Sequence, residues 1–442
     1  MAAIQTLGAL KTILSNLLNT HVGFLPINIR VQKVCMKATA QIAALPKTHL
    51  LHKPARQAAT FVKHHYSSLH YIMKALGEDL KMVETIEVVR KGPGWRCLAK
   101  VAIDPMVEEA MERERNNETN TRIYTNGSGQ KGMIGAAVVL YRGFNHPKVA
   151  RKCLRKEEDH IVFEGECIGQ VLVLELLRVE LKSRRVTRMV ASISIGTDNQ
   201  AGICAVEDPG PGTGQYLINE VLNGIQRIRR IGSKVDIEIQ WTLGHQGIAG
   251  NERADREAKR AVEGNKINMG GTQFLQKPLP KSKAAIIARH KKVWCSTAQT
   301  KLRASPRFEK AKAIDLDFPN TARITSTLLS LPCKHASLLV QLCMGHCPLN
   351  TYLCCIQKVN SPLCTACSEA PKIVNHYLLD CRTHSKHQCS LHRVICPGPN
   401  ALSTLLSDLN AIEAEITYIH VTRQFERSFG DLLRPAEMRD TQ

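Results

Sequence analysis

The stretch Ile123-Tyr124-Thr125-Asn126-Gly127-Ser128-Gly129 restricts this chain more than any other. β-Branched and aromatic residues running into Gly-Ser-Gly describe a short strand that ends in a turn. A second apolar run, Gly135 to Tyr141, follows at hairpin distance. A polar side chain at such a strand tip rests on rigid backbone with open space before it, where a catalytic group or metal ligand is best held. Three later stretches can bring acids to the same place. They are Val162-Phe163-Glu164-Gly165-Glu166, Ser194-Ile195-Gly196-Thr197-Asp198-Asn199, and the glycine-containing run from Gly244 through His245 and Asn251 to Asp255.

Strand and helix signals alternate around this stretch, as in an α/β domain. Strands are expected near 122–127, 133–141, 159–163, 189–196 and 235–241, and helices near 165–182, 198–206, 214–230 and 251–263. The helix from Gly165 is apolar nearly all round, through Ile168, Val171, Leu172 and Leu176, and should be buried. Glu164, just ahead of it, is expected at the surface. Asn251 is placed to cap the last helix, with Asp255 in its first turn.

Residues 1–104 read as helical. Ile29, Val31, Val34, Cys35, Ala38 and Ile42 recur at spacings of three and four until Pro46, and a second helical stretch runs from Pro54 to Leu76. Residues 105–121 form a charged connector, 122–265 the α/β domain, 266–284 a linker, and 285–442 a basic, helical, Cys/His-rich region. In that last region Cys364, Cys367, His376 and Cys381 follow the spacing Cys-x2-Cys-x8-His-x4-Cys. Three thiolates and one imidazole suit tetrahedral Zn²⁺ and leave no open position, so a structural role outweighs a catalytic one. Cys354, Cys355, Cys389 and Cys396 show that cysteine is frequent here, and a reduced, metal-free cluster is the alternative.

The formal charge of +21 favours polyanionic partners, with nucleic acid first. Basic residues gather at Arg227, Arg229, Arg230 and Lys234, and again at Lys281, Lys283, Arg289, Lys291 and Lys292. Each group is either a phosphate-contacting surface or a solvated helical face. No ordered series of aromatic residues suggests base stacking, so binding should follow backbone and shape. No apolar run approaches the ~18 residues of a membrane span, and the N-terminus lacks the pattern of a signal peptide. The expectation is an intracellular protein, the nucleus among its candidate compartments, with no membrane partner and 16 mostly reduced cysteines.

The acidic stretches resemble, in order, motifs of the ribonuclease H family. Phe163-Glu164-Gly165-Glu166 is similar to the family's acidic helix entry, and Thr197-Asp198-Asn199-Gln200-Ala201 to its Asp-Ser/Asn-Gln-Ala turn. Trp241-Thr242-Leu243-Gly244-His245-Gln246-Gly247-Ile248-Ala249-Gly250-Asn251-Glu252-Arg253-Ala254-Asp255 is close to its most distinctive phrase. The resemblance implies a mixed five-stranded sheet flanked by helices. It also implies hydrolysis, dependent on Mg²⁺ or Mn²⁺, of the RNA strand of RNA–DNA hybrids, leaving 5′-phosphate and 3′-hydroxyl ends. Glu166, Asp198 and Asp255 would be metal-binding carboxylates, and His245 would assist turnover from a mobile loop. The family's remaining carboxylate, an Asp at the end of the first strand, is Asn126 here. Asn keeps the size and one carbonyl oxygen but contributes no charge. The loss should weaken hydrolysis roughly 10³-fold or more while sparing the fold. A non-catalytic, nucleic-acid-binding remnant is the alternative.

The flanking segments resemble parts of LINE-type (non-LTR) retrotransposon polyproteins. Leu25-Pro26-Ile27, Val31-Gln32-Lys33-Val34-Cys35 and Ala44-Leu45-Pro46-Lys47-Thr48-His49 are similar to the helical region that follows the reverse-transcriptase core. The Cys/His spacing resembles a retroviral-type zinc knuckle with a longer central loop. The paired-aspartate strand of a polymerase is absent, so the resemblance implies a reverse-transcriptase core as a partner outside this chain.

Overall fold

The computed structural model describes residues 9–10, 18–20, 24–60, 67–143, 145–183, 192–231, 235–244, 246–263, 273–314, 318–320, 322–396 and 398–433. They fall into two compact units, one of Gln32–Lys292 and one of Met1–Val31 with Val293–Gln442.

The Gln32–Lys292 unit is built on a mixed six-stranded sheet: β1 (Lys100–Ala102), β2 (Thr121–Gln130), β3 (Met133–Arg142), β4 (Lys148–Lys156), β5 (Ser192–Thr197) and β6 (Asp236–Trp241), in the order β1-β6-β5-β2-β3-β4. β2 and β3 are an antiparallel hairpin that pairs Asn126 with Ala137. Its turn residues Lys131 and Gly132 have φ of 52° and 72°, the two-positive-φ turn whose twist matches that of the strands. β4 extends the antiparallel side, whereas β5, β6 and β1 run parallel to β2.

The sheet therefore has six strands where five were expected. The residues expected as a strand at 159–163 are a turn entering the helix Val162–Ser183, and the strand is Lys148–Lys156 instead. That segment is an edge strand rich in Lys and Arg, a composition that blunts edge-to-edge pairing and also hides the strand pattern. The sixth strand, Lys100–Ala102, adds to the outer edge of β6.

Helices cover both faces. The helix Val162–Ser183 packs on β2 and β3, with Gly169 against Thr125, while the helix Ala249–Val262 places Gly250 against the Tyr124 ring. Successive strand residues point to opposite faces, so these two helices lie on opposite sides of the sheet. Ile123, Val138, Ile168, Val171, Ile195 and Ile237 form the core between layers. Glu164 is fully buried rather than at the surface, accepting from the Ile161 N–H at 3.0 Å and the Tyr216 hydroxyl at 3.2 Å.

The N-terminal periodicity marks a real helix, Ile27–Ala43, but only part of the face that it buries: Ile29 is buried and Ile42 partly so. Ala40 and Ala43 pack with Ala55, Met73 and Leu76, whereas Val31 and Val34 are 54% and 67% exposed. The second stretch forms helices at His52–Thr60 and Ser68–Leu76. The following segment is tied into the same unit. Glu84 accepts from the backbone N–H groups of Gly214 and Lys283, both at 2.7 Å, and Glu78 pairs with Lys281 at 2.8 Å and with Arg289.

The second unit is helical, with its core around Leu338, Leu342, Tyr377, Leu405, Ile412 and Tyr418. Its helix Leu409–Thr422 starts with Asp408 accepting from the N–H groups of Asn410 and Ala411. Among the described residues no helix is long and apolar enough to cross a membrane. Glu415 on this helix is wholly buried, and neither carboxylate oxygen has a hydrogen-bond partner among the described residues. Burial alone holds its carboxyl well above the ordinary carboxylate range. An acid raised in this way stabilises the fold fully below its unfolded value and loses that contribution as pH rises through the folded one. Glu415→Met is expected to stabilise the chain by about 2 kcal/mol at neutral pH, with a smaller gain near pH 5, as read from urea midpoints at the two pH values.

Candidate functional site

The Gly127-Ser128-Gly129 stretch expected as a turn continues β2 to Gln130, paired with β3, and the turn falls at Lys131-Gly132. Mid-strand, just past the last pairing with β5 at Thr125, β2 meets the first turns of the helix Val162–Ser183 at unusually close range. A Cβ on Gly127 would strike the backbone of Gly165 and Glu166, so glycine is what allows the approach. The Gly127 N–H then donates to the Glu166 carboxylate. Asp198 follows directly after β5, the parallel neighbour of β2. There the Asn126 Nδ2 donates to Asp198 Oδ2 at 3.2 Å. On the other side Gly244 leaves room, since a Cβ there would stand 3.0 Å from Asp198 Oδ2. Asp255 comes from the helix Ala249–Val262 and accepts from Lys259 Nζ at 2.6 Å, one turn along.

Electrostatics join these groups. Glu166 is held well above the ordinary carboxylate range, first by burial, then by the charge of Asp198, with Asp255 adding less. Its Oε2 is buried without a hydrogen-bond partner among the described residues. Asp198 is also raised, chiefly by burial and further by Asp255, while the amides of Asn251 and Asn126 pull it back. Glu166, Asp198, Asp255 and Asn126 thus share one charge-coupled neighbourhood. His245 lies outside the described residues.

Two features of this neighbourhood differ from the sequence expectation. Asn251 does not cap its helix, which starts at Ala249 with Ile248 at the cap position. It is 2% exposed, donates to the Leu243 carbonyl at 3.4 Å and supports Asp198. Asp255 accordingly sits in the second turn rather than the first. The role of Asn251 has no signal in the sequence. The Asp255–Lys259 pair does, because its i,i+4 spacing is that of a helical ion pair.

Several basic residues from the two clusters are engaged with nearby acids or carbonyls. Arg227 pairs with Glu220 at 2.5 Å, Arg229 donates to the Leu98 carbonyl at 2.7 Å, and Lys292 pairs with Glu157 at 2.7 Å. Lys281 and Arg289 both hold Glu78, and Lys281 also reaches Asp159 at 3.1 Å. For these residues a structural role is visible. Lys234 lies outside the described residues.

In the second unit, Cys364, Cys367, His376 and Cys381 bring their ligand atoms within 4.8 Å of one another. Cys364 Sγ and Cys381 Sγ are 3.8 Å apart, and Cys367 Sγ and His376 Nε2 are 3.4 Å apart. A tetrahedron with metal–sulfur bonds of about 2.3 Å has edges of roughly 3.8 Å, slightly shorter where nitrogen replaces sulfur. The spacing and donor chemistry fit Zn²⁺. A single π-helical turn, His376–Asp380, carries the imidazole. The Cys367 thiol is pushed down to about 7, chiefly by the Glu369 N–H, whereas burial raises Cys381.

No protein-family model matches the chain, and no curated protein matches it. Among solved structures it is similar to RNase H1 from the halophilic archaeon Halobacterium salinarum NRC-1, at 15% identity over 33% of this chain and 98% of that one, with a TM-score of 0.23. It is also similar to LC11-RNase H1, isolated from compost by a metagenomic approach, at 14% identity, 33% and 97% coverage and a TM-score of 0.25. The LC11 enzyme in complex with an RNA/DNA hybrid gives 15% identity, 33% and 97% coverage and 0.24. At that level the likeness argues nothing by itself.

Proposed function

We propose that the Gln32–Lys292 unit carries a ribonuclease H-type site for RNA–DNA hybrids, reduced to little or no hydrolysis by Asn126. The observation that supports this most is the coupling of Glu166, Asp198 and Asp255 beside Asn126 of β2. These three acids would hold Mg²⁺ or Mn²⁺. Buried Glu166, with its unpartnered Oε2 and raised pKa, belongs to a site short of positive charge, which is the fit such ions require. When bound, divalent ions supply activation of a water nucleophile and charge relief on the leaving oxygen. Lys259 neutralises Asp255 in the present arrangement and must yield its place to an ion. His245 would assist product release.

Asn126 favours a second reading. Its amide already satisfies Asp198 without bringing charge, which suits a hybrid-binding remnant that no longer cuts. Cleavage assays of the chain and of Asn126→Asp, alongside hybrid binding without divalent ions, separate the two. Equal, robust cleavage by both proteins would overturn the loss of activity. Neither cleavage nor hybrid binding by either would overturn the nuclease assignment.

Phrases such as Val31 to Cys35 and Ala44 to His49 support a wider assignment to the C-terminal part of a LINE-type retrotransposon polyprotein, with a reverse-transcriptase core as partner. The Cys364, Cys367, His376 and Cys381 cluster would hold structural Zn²⁺.

A further inference from the structure

The Val293–Gln442 unit contains a cavity of about 480 Å³ that neither assignment uses. Arg307, His346 and Lys372 line it, and among the described residues no acidic residue does. Lys372 is 2% exposed and His346 5%. Among the described residues the Lys372 ammonium meets neutral groups, Gln424 Oε1 and the face of Tyr377 at 5.8 Å from its centroid. Arg307 donates to the Met344 carbonyl at 3.4 Å and contacts the His346 ring. Among the described residues neither Arg307 nor Lys372 is paired with a carboxylate. Asp380, beyond the wall, is taken up by Asn375 at 2.6 Å. A buried cation without a counter-ion is expensive, and an anionic ligand removes that cost.

Apart from Thr351 and Asn375, most of the remaining lining is apolar or aromatic. The Tyr352 ring lies 5.1 Å from that of His346, and Ile356 and Ile373 are 37% and 47% exposed at the mouth. The volume falls within the range of small-ligand sites. We propose that this cavity binds a nucleotide through its phosphate, the Arg307 and Lys372 cations taking the phosphate oxygens and the apolar mouth taking the base. The phosphate can belong to a free mononucleotide or to the 5′ end of a polynucleotide.

Equilibrium binding to the full chain tests this with adenosine 5′-monophosphate, adenosine, and one short RNA in 5′-phosphorylated and 5′-hydroxyl forms. The nucleotide should saturate, with adenosine at least about tenfold weaker, the scale of a lost charge-assisted contact. Arg307→Gln and Lys372→Met should weaken the nucleotide by a similar factor. Ile373→Asp, at an exposed position that leaves the core intact, should do so by repulsion, and it keeps the test valid if Lys372→Met fails to fold. RNA binding that requires the 5′-phosphate and is displaced by the nucleotide identifies a polynucleotide end, and nucleotide binding alone identifies a free nucleotide. Equal affinity for adenosine and its monophosphate, indifference to Ile373→Asp and Arg307→Gln, or no saturable binding of any phosphate-bearing probe would overturn the proposal.

Discussion

Asn126→Asp is expected to raise cleavage of the RNA strand of a hybrid about 10³-fold in Mg²⁺. The substitution changes one amide to a carboxylate at the point where β2 meets Asp198. Size and backbone are unchanged, because Gly127 still permits the close contact with Glu166. What changes is charge. The candidate site would then carry four acids instead of three, which favours the binding of divalent ions. The same change exposes its own cost. Without metal, the hydrogen bond from Asn126 becomes a repulsion between two carboxylates, and Glu166 is already raised by its neighbours. The variant should therefore melt below the parent in chelator and recover on adding Mg²⁺. A variant that cleaves no faster, and whose melting ignores Mg²⁺, would show that these acids do not hold ions jointly.

The second large effect concerns the Cys/His cluster. Purified chain is expected to carry one zinc by elemental analysis, and Cys364→Ser to lose most of it. Structural zinc sites are worth on the order of 10 kcal/mol in small domains, far more than a typical point substitution removes. Cys364 and Cys381 are buried, so without the ion two thiols are left in the interior with only weak sulfur hydrogen bonds, the Cys364–Cys381 contact at 3.8 Å among them. Chelation should therefore abolish the cooperative melting of the helical unit or lower it steeply. A chain that holds no metal and melts unchanged in chelator would refute the assignment.

The central strands and helices of the sheet unit were readable from sequence, because β2, β3, β5 and β6 are flanked by glycines or helix starts and carry apolar runs. β4 was not. Along Lys148 to Lys156 only Ala150 and Leu154 are buried, and the cations between them mask the alternation. β1 is three residues long and owes its existence to β6, a partner more than a hundred residues away. The element that carries each acid of the candidate site was readable, Asp198 directly after β5 and Glu166 and Asp255 in the second turns of their helices. Their surroundings were not. Glu164 looks like a solvated helix start until Tyr216, 52 residues later, supplies a hydroxyl to it. The hydrogen bond from Asn126 to Asp198 likewise spans 72 residues. In the helix Ile27–Ala43 the spacing was right and the face only partly so: Ile29 and Ile42 turn inward, but small alanines make the core contacts while Val31 and Val34 stay in water.

The two backbone bonds accepted by Glu84 matter to anyone who would divide the chain. A fragment trimmed to 122–265 discards the acceptor for the Gly214 amide, which opens the helix Gln215–Ile231, and it loses Lys283 altogether. An excised piece of that length would carry a raw helix end and an uncovered flank into solution. A piece that starts ahead of Ile27 and ends beyond Arg303 keeps donor and acceptor together and leaves the helices Ile27–Ala43 and Lys283–Arg303 whole, and is the shorter protein to express for crystals, spectra or hybrid assays.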